Sequence, residues 1–180
     1  SDVMEYRKQQ GLLSEDEEMG ILVQFLNGDR NGNYFYPDFA AVAMSHATQS
    51  MGQDPSRGAM IAVAGLGEQA VTNGGRYAML AKPTAQYGNL SPQSEMTVIN
   101  LTTQAKENKS HRDLEKDSGL SRKVQAYGLV GERWKQLTLE GVMNYTRIPL
   151  AIEYIVQKLK YQLGYDVDCE FTIHANRQTG

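Results

Sequence analysis

The pattern of hydrophobic and polar positions predicts helices through most of the first half of the chain. Ser14 precedes an acidic run, 15–18, and can cap a helix whose negative first turn suits the positive end of the helix dipole. The body of this helix, 19–27, is apolar almost all round, so we expect it to be buried. A second helix is predicted over 38–51, with Pro37 at its start and with one face formed by Phe39, Val42, Ala43 and His46.

A third helix is predicted over 55–71, where small residues recur at helical offsets. Each glycine inside a helix costs about 1 kcal/mol relative to alanine, so close packing against a neighbouring helix or subunit is the preferred reason for them. The sequence therefore predicts a self-association interface at Gly58, Ala62 and Gly65. A phosphate-binding loop is the alternative, but the stretch lacks both a third glycine at the fingerprint spacing and a Walker lysine.

Beyond residue 75 the pattern indicates a small amount of β structure and one long helix. A strand is predicted over 96–103 from its β-branched content, and a second over 166–175 from its alternation. This second strand places Val167, Cys169, Phe171 and Ile173 on one side, and we expect it at a sheet edge or paired with the first. The helix is predicted over 150–163, with Pro149 near its start and Gly164 at its end.

Together these elements predict an α+β fold that is mainly α-helical. It has a helical N-terminal half, a small β element at about 96–103 and 166–175, and a long C-terminal helix at about 150–163. A length of 180 residues suits a single domain, so we expect one domain over 1–180. Hydrophobic residues make up 41% of the chain and charged residues 22%, which is typical of globular proteins and argues against wholesale disorder.

Charge is distributed unevenly along the chain. Residues 1–75 hold ten acids and four bases, a net charge of −6, whereas residues 76–180 hold 11 acids and 14 bases, a net charge of +3. Such asymmetry favours either a basic surface for an anionic partner or head-to-tail self-association. The alternative is that the two halves fold against each other.

The stretch 109–137 carries the most definite functional suggestion. Gly119 and Ser121 stand between two charged segments, as in a helix-turn-helix, where a turn glycine precedes the cap of a recognition helix. In that arrangement Leu114 packs inward. Two departures weaken the match, because the motif usually has a small residue where this chain has Glu115 and an apolar residue where it has Gln125.

The same stretch is moderately basic and contains aromatic residues. Between Lys106 and Lys135 there are eight bases and five acids, with Tyr127 and Trp134 among them, a composition typical of nucleic-acid-binding surfaces. Arginine and lysine can meet phosphate, glutamine a base edge, and aromatic rings a base. The predicted contact residues are Lys109, Arg112, Arg122, Lys123, Gln125, Tyr127, Arg133 and Lys135. The alternative is a solvated amphipathic hairpin whose lysines and glutamates pair with each other.

No catalytic or metal-binding motif stands out. His46, His111 and His174 are far apart in sequence, and none has a metal-ligand spacing with Cys169. On a strand, Cys169 and His174 point to opposite faces, so we expect a buried structural cysteine rather than a nucleophile. The loop 27–33 has Asp, Asn and Gly residues but lacks the distal glutamate of a calcium loop. We therefore expect no metal, no cofactor and no enzymatic activity.

These features favour a protein that acts by binding and assembly. One cysteine cannot form an intramolecular disulfide, and no apolar run approaches a membrane span, so we expect an intracellular, cytoplasmic protein without a membrane partner. The leading hypothesis is a nucleic-acid-associated protein, either a regulator or coat-like, that forms homo-oligomers. The alternative is a protein-only adaptor or structural subunit of a larger assembly.

Overall fold

The fold is known from a computed structural model, which describes residues 5, 8–9, 11, 21–48, 54–72, 76–80, 93–117, 129–130, 136–137 and 147–174, with the backbone alone described at 76–79, 129–130 and 136–137. Its strands are β1 Asp29–Asn31, β2 Tyr34–Tyr36, β3 Phe39–Met44, β4 Ala59–Ala64, β5 Arg76–Met79, β6 Glu95–Asn100, β7 Ala105–Ser110, β8 Leu129–Val130, β9 Gln136–Leu137 and β10 Asp168–Ile173. Its helices are α1 Glu68–Thr72, α2 His111–Lys116 and α3 Ile148–Leu163, and a 3₁₀ turn, Pro55–Arg57, precedes β4.

The strands form two antiparallel sheets. The first has the order β1-β2-β6-β7 and the second the order β10-β3-β4-β5, while β8 and β9 pair with each other. The hairpin between β1 and β2 turns at Gly32, whose φ of +60° suits glycine. A single parallel bridge between Gly65 and Thr97 links the end of β4 to β6. The two sheets are therefore joined directly at this point.

The main core lies between the two sheets and α3. It combines Phe39 and Met60 of the second sheet with Met96 of the first and with Ile152 and Val156 of α3. The opposite face of the second sheet has a smaller apolar cluster, in which Ala70 of α1 covers Ala40 and Val63. The second sheet is consequently buried on much of both faces.

The prediction of a mainly helical fold is wrong. The predicted helix 38–51 contains β3, and the predicted helix 55–71 contains β4 with only a short helical segment, α1, at its end. Both strands are buried on their two faces, so their apolar positions do not alternate. Their alanine-rich sequences, FAAVAM and AMIAVA, therefore resemble helices until tertiary packing decides the structure.

The first predicted helix is also wrong where it can be compared. Residues 21–28 have no regular secondary structure, and residues 21–27 are exposed rather than buried. The chain here leads directly into the β1–β2 hairpin, and Gly28 lies so close to the backbone of Tyr36 that an added Cβ would be 2.7 Å from its carbonyl carbon. This close approach leaves no room for a side chain at residue 28, where the chain enters the hairpin.

The C-terminal elements agree with the sequence. The strand predicted over 166–175 is β10, and the strand predicted over 96–103 overlaps β6. β10 lies at a sheet edge beside β3 and does not pair with β6. The long helix is α3, and its end is set by Gly164, whose N–H donates to the Lys160 carbonyl at 2.8 Å in the left-handed conformation.

Candidate association surface

The most unusual surface feature is the apolar arm, which we define as residues 21–26 with the sequence ILVQFL. The exposed fractions of its side chains are 82% for Ile21, 87% for Val23 and 105% for Phe25. Its backbone forms no hydrogen bond to any other part of the chain that the structure describes. The arm therefore exposes its apolar side chains, and its peptide groups have no backbone partner among the described residues.

A cleft of about 330 Å³ lies beside the arm on the outer face of the second sheet. Its floor is β3, and its sides are α1 and β10, with Gln24 of the arm also lining it. α1 packs closely on β3, where an added Cβ on Gly67 would be 3.2 Å from the Cβ of Ala40. Carboxylates stand on both sides of the cleft, Glu68 on α1 and Glu170 on β10.

The edge strand β10 is only partly covered. Cys169, Phe171 and Ile173 pack against the main core but remain half-buried, since β10 has a neighbouring strand on one side alone within the described chain. Partial burial, with the nearby Asp168 carboxylate, raises the pKa of the Cys169 thiol. The unpaired side of β10 therefore combines free strand-edge positions with incompletely buried apolar side chains.

In residues 106–117, the described part of the predicted nucleic-acid-binding stretch, lysines form ion pairs with carboxylates. In β7, the Nζ of Lys109 lies 3.1 Å from Glu107 and 5.7 Å from the centre of the Tyr34 ring. The Glu107 carboxylate raises the pKa of Lys109, while the Asn100 amide and then Lys109 lower the pKa of Glu107. Lys106 similarly lies 2.9 Å from Glu68. Carboxylates therefore partly neutralise both lysines.

A short helix, α2, precedes the predicted turn of the helix-turn-helix. Ser110 caps it by accepting a hydrogen bond from the Asp113 N–H at 3.2 Å, and Leu114 is fully buried, as expected. Arg112 lies on its exposed side. The predicted turn at Gly119 and the remaining predicted contact residues lie outside the described residues: Arg122, Lys123, Gln125, Tyr127, Arg133 and Lys135. The recognition helix accordingly stays a prediction.

Of the three residues of the predicted self-association interface, Ala62 lies in β4, and Gly58 and Gly65 lie immediately before and after that strand. Gly58 has a φ of +88°, and an added Cβ would meet the carbonyl oxygen of Met44. Ala62 is buried in β4, and Gly65 has a φ of +81°, where an added Cβ would lie 2.7 Å from the Thr97 oxygen. The close backbone approach that these small residues permit is thus made inside the chain.

One cluster of ionisable groups has no counterpart among the sequence predictions. The two ring nitrogens of His174 lie 3.3 Å from a carboxylate oxygen of Asp29 and 3.4 Å from one of Asp38. Because Asp29 belongs to the first sheet and Asp38 leads into the second, this histidine connects the two. In the sequence, Asp38 and Asp29 precede His174 by 136 and 145 residues. No local pattern of residues predicts a contact across such separations.

Among the residues that the structure describes, no group of three or more histidine, cysteine or carboxylate side chains could hold a metal ion. In the same residues no helix is long and apolar enough to cross a membrane. Comparison with protein-family models, curated proteins and solved structures finds no match to this chain. The apolar arm, the cleft and the β10 edge therefore define the candidate surface.

Proposed function

We propose that this chain is a non-enzymatic binding and assembly protein, coat-like and associated with nucleic acid, whose copies associate through the apolar arm. The evidence for self-association is the exposure of four apolar side chains. At least 81% of the surface of each is exposed: Ile21, Leu22, Val23 and Phe25. Exposed apolar patches larger than a few hundred Å² are uncommon on monomeric proteins and mark sites of interaction. A partner that covers the arm removes this surface from water, which is favourable in proportion to its area.

The arm also has the sequence of a strand that pairs with another chain. Its six residues contain no charge, no proline and no glycine, and they include β-branched and aromatic side chains. Charged residues flank it, with the acidic run 15–18 before it and Asp29 after it. Flanking charges limit uncontrolled aggregation, so this arrangement suits controlled association.

Light scattering tests the assembly. We expect the mass of the native chain to exceed that of a monomer and to rise with concentration, and a Leu22→Ser/Phe25→Ser variant to remain monomeric. The matched control is Leu150→Ser/Tyr161→Ser, which removes exposed apolar side chains from α3 and should leave the association unchanged. A native chain that is monomeric at every concentration, or arm variants that associate like the native chain, would contradict the proposal.

The nucleic-acid part depends on the second half of the basic strip. Residues 106–117 contain four bases and four acids, whereas residues 118–135 contain four bases and one acid. Phosphate binding by the latter predicts an affinity that falls steeply with salt, because bound counterions are released. Fluorescence anisotropy with random duplex DNA and random single-stranded RNA at two salt concentrations tests this. Absence of binding at low salt would leave the alternative, a protein-only adaptor or structural subunit of a larger assembly.

The proposed place of action is the cytoplasm. Cys169 is the only cysteine of the chain, and the fold forms its core without disulfides. Free thiols persist in the reducing compartments of the cell. Detection of the chain in subcellular fractions with a tag at its C-terminus tests this assignment.

A further inference from the structure

We propose that the apolar arm of one copy adds as an extra strand to the free edge of β10 in a second copy. The inference rests on the proposed self-association and names the surface that receives the arm. Addition of an extended segment to a sheet edge satisfies peptide groups on both chains, and the alternating side chains give specificity. Here the arm supplies a segment without regular secondary structure, which becomes extended when it pairs, and β10 supplies the edge.

The alternation of the arm matches that of β10. In an extended segment Ile21, Val23 and Phe25 share one face, while Leu22, Gln24 and Leu26 share the other. In β10 the core side is formed by Cys169, Phe171 and Ile173, all half-buried, and the opposite side is exposed and polar. An arm beside β10 therefore continues the core with its most β-prone side chains and places Gln24 on the side of Glu170 and Thr172.

The arm and the receiving edge lie on the same side of the molecule. Gln24 lines the same cleft as Phe171 and Thr172 of its own chain. Two copies related by a two-fold axis can exchange arms reciprocally, because the rotation that brings one arm to β10 of the second copy also brings the second copy's arm to β10 of the first. Among the residues that the structure describes, the arm forms no backbone hydrogen bond to β10, and no strand pairs with the side of β10 that faces away from β3.

Two exchanged arms bury enough area for a specific interface. The arm side chains on the side that continues the core are Ile21, Val23 and Phe25, with exposed fractions of 82%, 87% and 105%. Each presents on the order of 100 Å², and the surfaces that they cover double this amount, giving roughly 1,200 Å² for the pair of arms. This area is at the lower end of the range for specific, stable interfaces.

Disulfide cross-linking to the native Cys169 tests the strand addition. One chain carries Cys169→Ser and one cysteine in the arm, and the second chain, with a tag of different mass, is native. Neighbouring strands bring opposite Cα atoms within about 4.5–5.5 Å, a distance that a disulfide can span. We expect oxidation to join the two different chains with Ile21→Cys, Val23→Cys or Phe25→Cys, and at least fivefold less with Leu22→Cys or Gln24→Cys.

The outcomes separate this inference from the proposed function. A native chain that is monomeric by light scattering overturns both. Association without cross-links to Cys169, with cross-links only between two arms, or with equal cross-linking at odd and even positions overturns the strand addition alone. Hydrogen exchange gives a second measurement that needs no substitution: amides of 21–26 and of β10 should exchange more slowly as the native chain associates, and unchanged exchange in β10 overturns the inference.

Discussion

The side-chain amide of Gln93 forms two hydrogen bonds with the backbone of Ala64, in the manner of a neighbouring strand. Its Nε2 donates to the Ala64 carbonyl at 2.9 Å, and its Oε1 accepts from the Ala64 N–H at 2.7 Å. Gln93 precedes β6 of the first sheet and is buried, while Ala64 is the last residue of β4 in the second. One side chain thus satisfies the end of a strand and ties the two sheets together.

We expect Gln93→Leu to lower the free energy of unfolding by about 3 kcal/mol, because it leaves the buried N–H and carbonyl of Ala64 without partners. The matched control is Gln69→Ala, since Gln69 accepts a longer hydrogen bond, 3.3 Å, from the same Nε2 and should change stability little. Urea unfolding followed by circular dichroism measures both. Equal midpoints for the native chain and Gln93→Leu would show that the two hydrogen bonds contribute nothing to stability.

Two glycines with the same backbone conformation should differ in their tolerance of a side chain. Gly65 and Gly164 have φ values of +81° and +80°, but an added Cβ meets the Thr97 oxygen at 2.7 Å in the first case and nothing within 4 Å in the second. We expect Gly164→Ala to cost about 1 kcal/mol from backbone conformation alone, and Gly65→Ala about 3 kcal/mol because the backbone of β6 must also move. Urea unfolding compares them; equal costs would contradict the role of crowding at Gly65.

The same crowding limits what a large residue at Gly65 can reveal about association. If Gly65 lay in a helical interface, as the sequence predicts, Gly65→Leu would be the substitution to test it. In the observed fold a leucine at this position would instead push β4 away from β6 within one chain. A failure of such a variant to associate would then report a failure to fold. Substitutions in the exposed arm test self-association without this ambiguity.

The elements that the sequence predicts correctly are those whose signal is local. α3 has an apolar stripe, a proline near its start and a glycine at its C-terminal cap, and Gly164 adopts the left-handed conformation that such a cap requires. β10 alternates strictly because one of its sides faces the core and the other faces solvent. In both cases the residues of the element alone specify the structure.

The strands of the N-terminal half depend on contacts that are distant in sequence. β3 and β4 bury both faces, so neither has a period of two, and alanine favours a helix wherever packing does not decide. The β1–β2 hairpin does have a local signal, Asn31-Gly32 between two short runs, but the same residues are also typical of a loop that ends a helix. The missed hairpin and the missed sheet together account for the wrong fold class.

The candidate surface is only partly predictable from the sequence. The arm stands out as an apolar run, but the same composition describes a buried helix and an exposed strand, and only the fold distinguishes them. The cleft requires α1 to pack across β3, and the free edge requires β10 to be the last strand of its sheet. Both follow from strand order, which local patterns do not contain.

Stability should depend on pH through Asp166. Its carboxylate lies 2.6 Å from the Lys160 ammonium and accepts a hydrogen bond from the Ser45 hydroxyl at 3.1 Å, and these contacts lower its pKa. A group whose pKa is lower in the folded state stabilises the fold above its unfolded pKa, about 3.9 for Asp, and that contribution is lost as the pH falls through the folded value.

We therefore expect Asp166→Asn to have a lower Tm than the native chain at pH 7, and the difference to shrink as the pH falls below about 4. Asp168→Asn is the control, since Asp168 is an exposed carboxylate that forms no ion pair with another described residue. Thermal unfolding at a series of pH values measures the effect. A Tm difference that is the same at every pH would show that the charge of Asp166 is not responsible.

Substitutions of basic residues should weaken nucleic-acid binding less in residues 106–117 than in residues 118–135. Lys109 already pairs with Glu107, so Lys109→Gln should weaken binding of random duplex DNA or single-stranded RNA less than twofold. Arg122→Glu/Lys123→Glu reverses two of the surplus cations in 118–135, and we expect it to weaken that binding at least tenfold at low salt. The slope of log affinity against log salt should also fall by about two, one for each phosphate that the variant no longer neutralises.

Anisotropy titrations at several salt concentrations measure both the affinity and this slope, with circular dichroism as the check on folding. Unchanged affinity in the folded double variant would remove these residues from the nucleic-acid surface, and an unchanged slope would show that they do not bind phosphate.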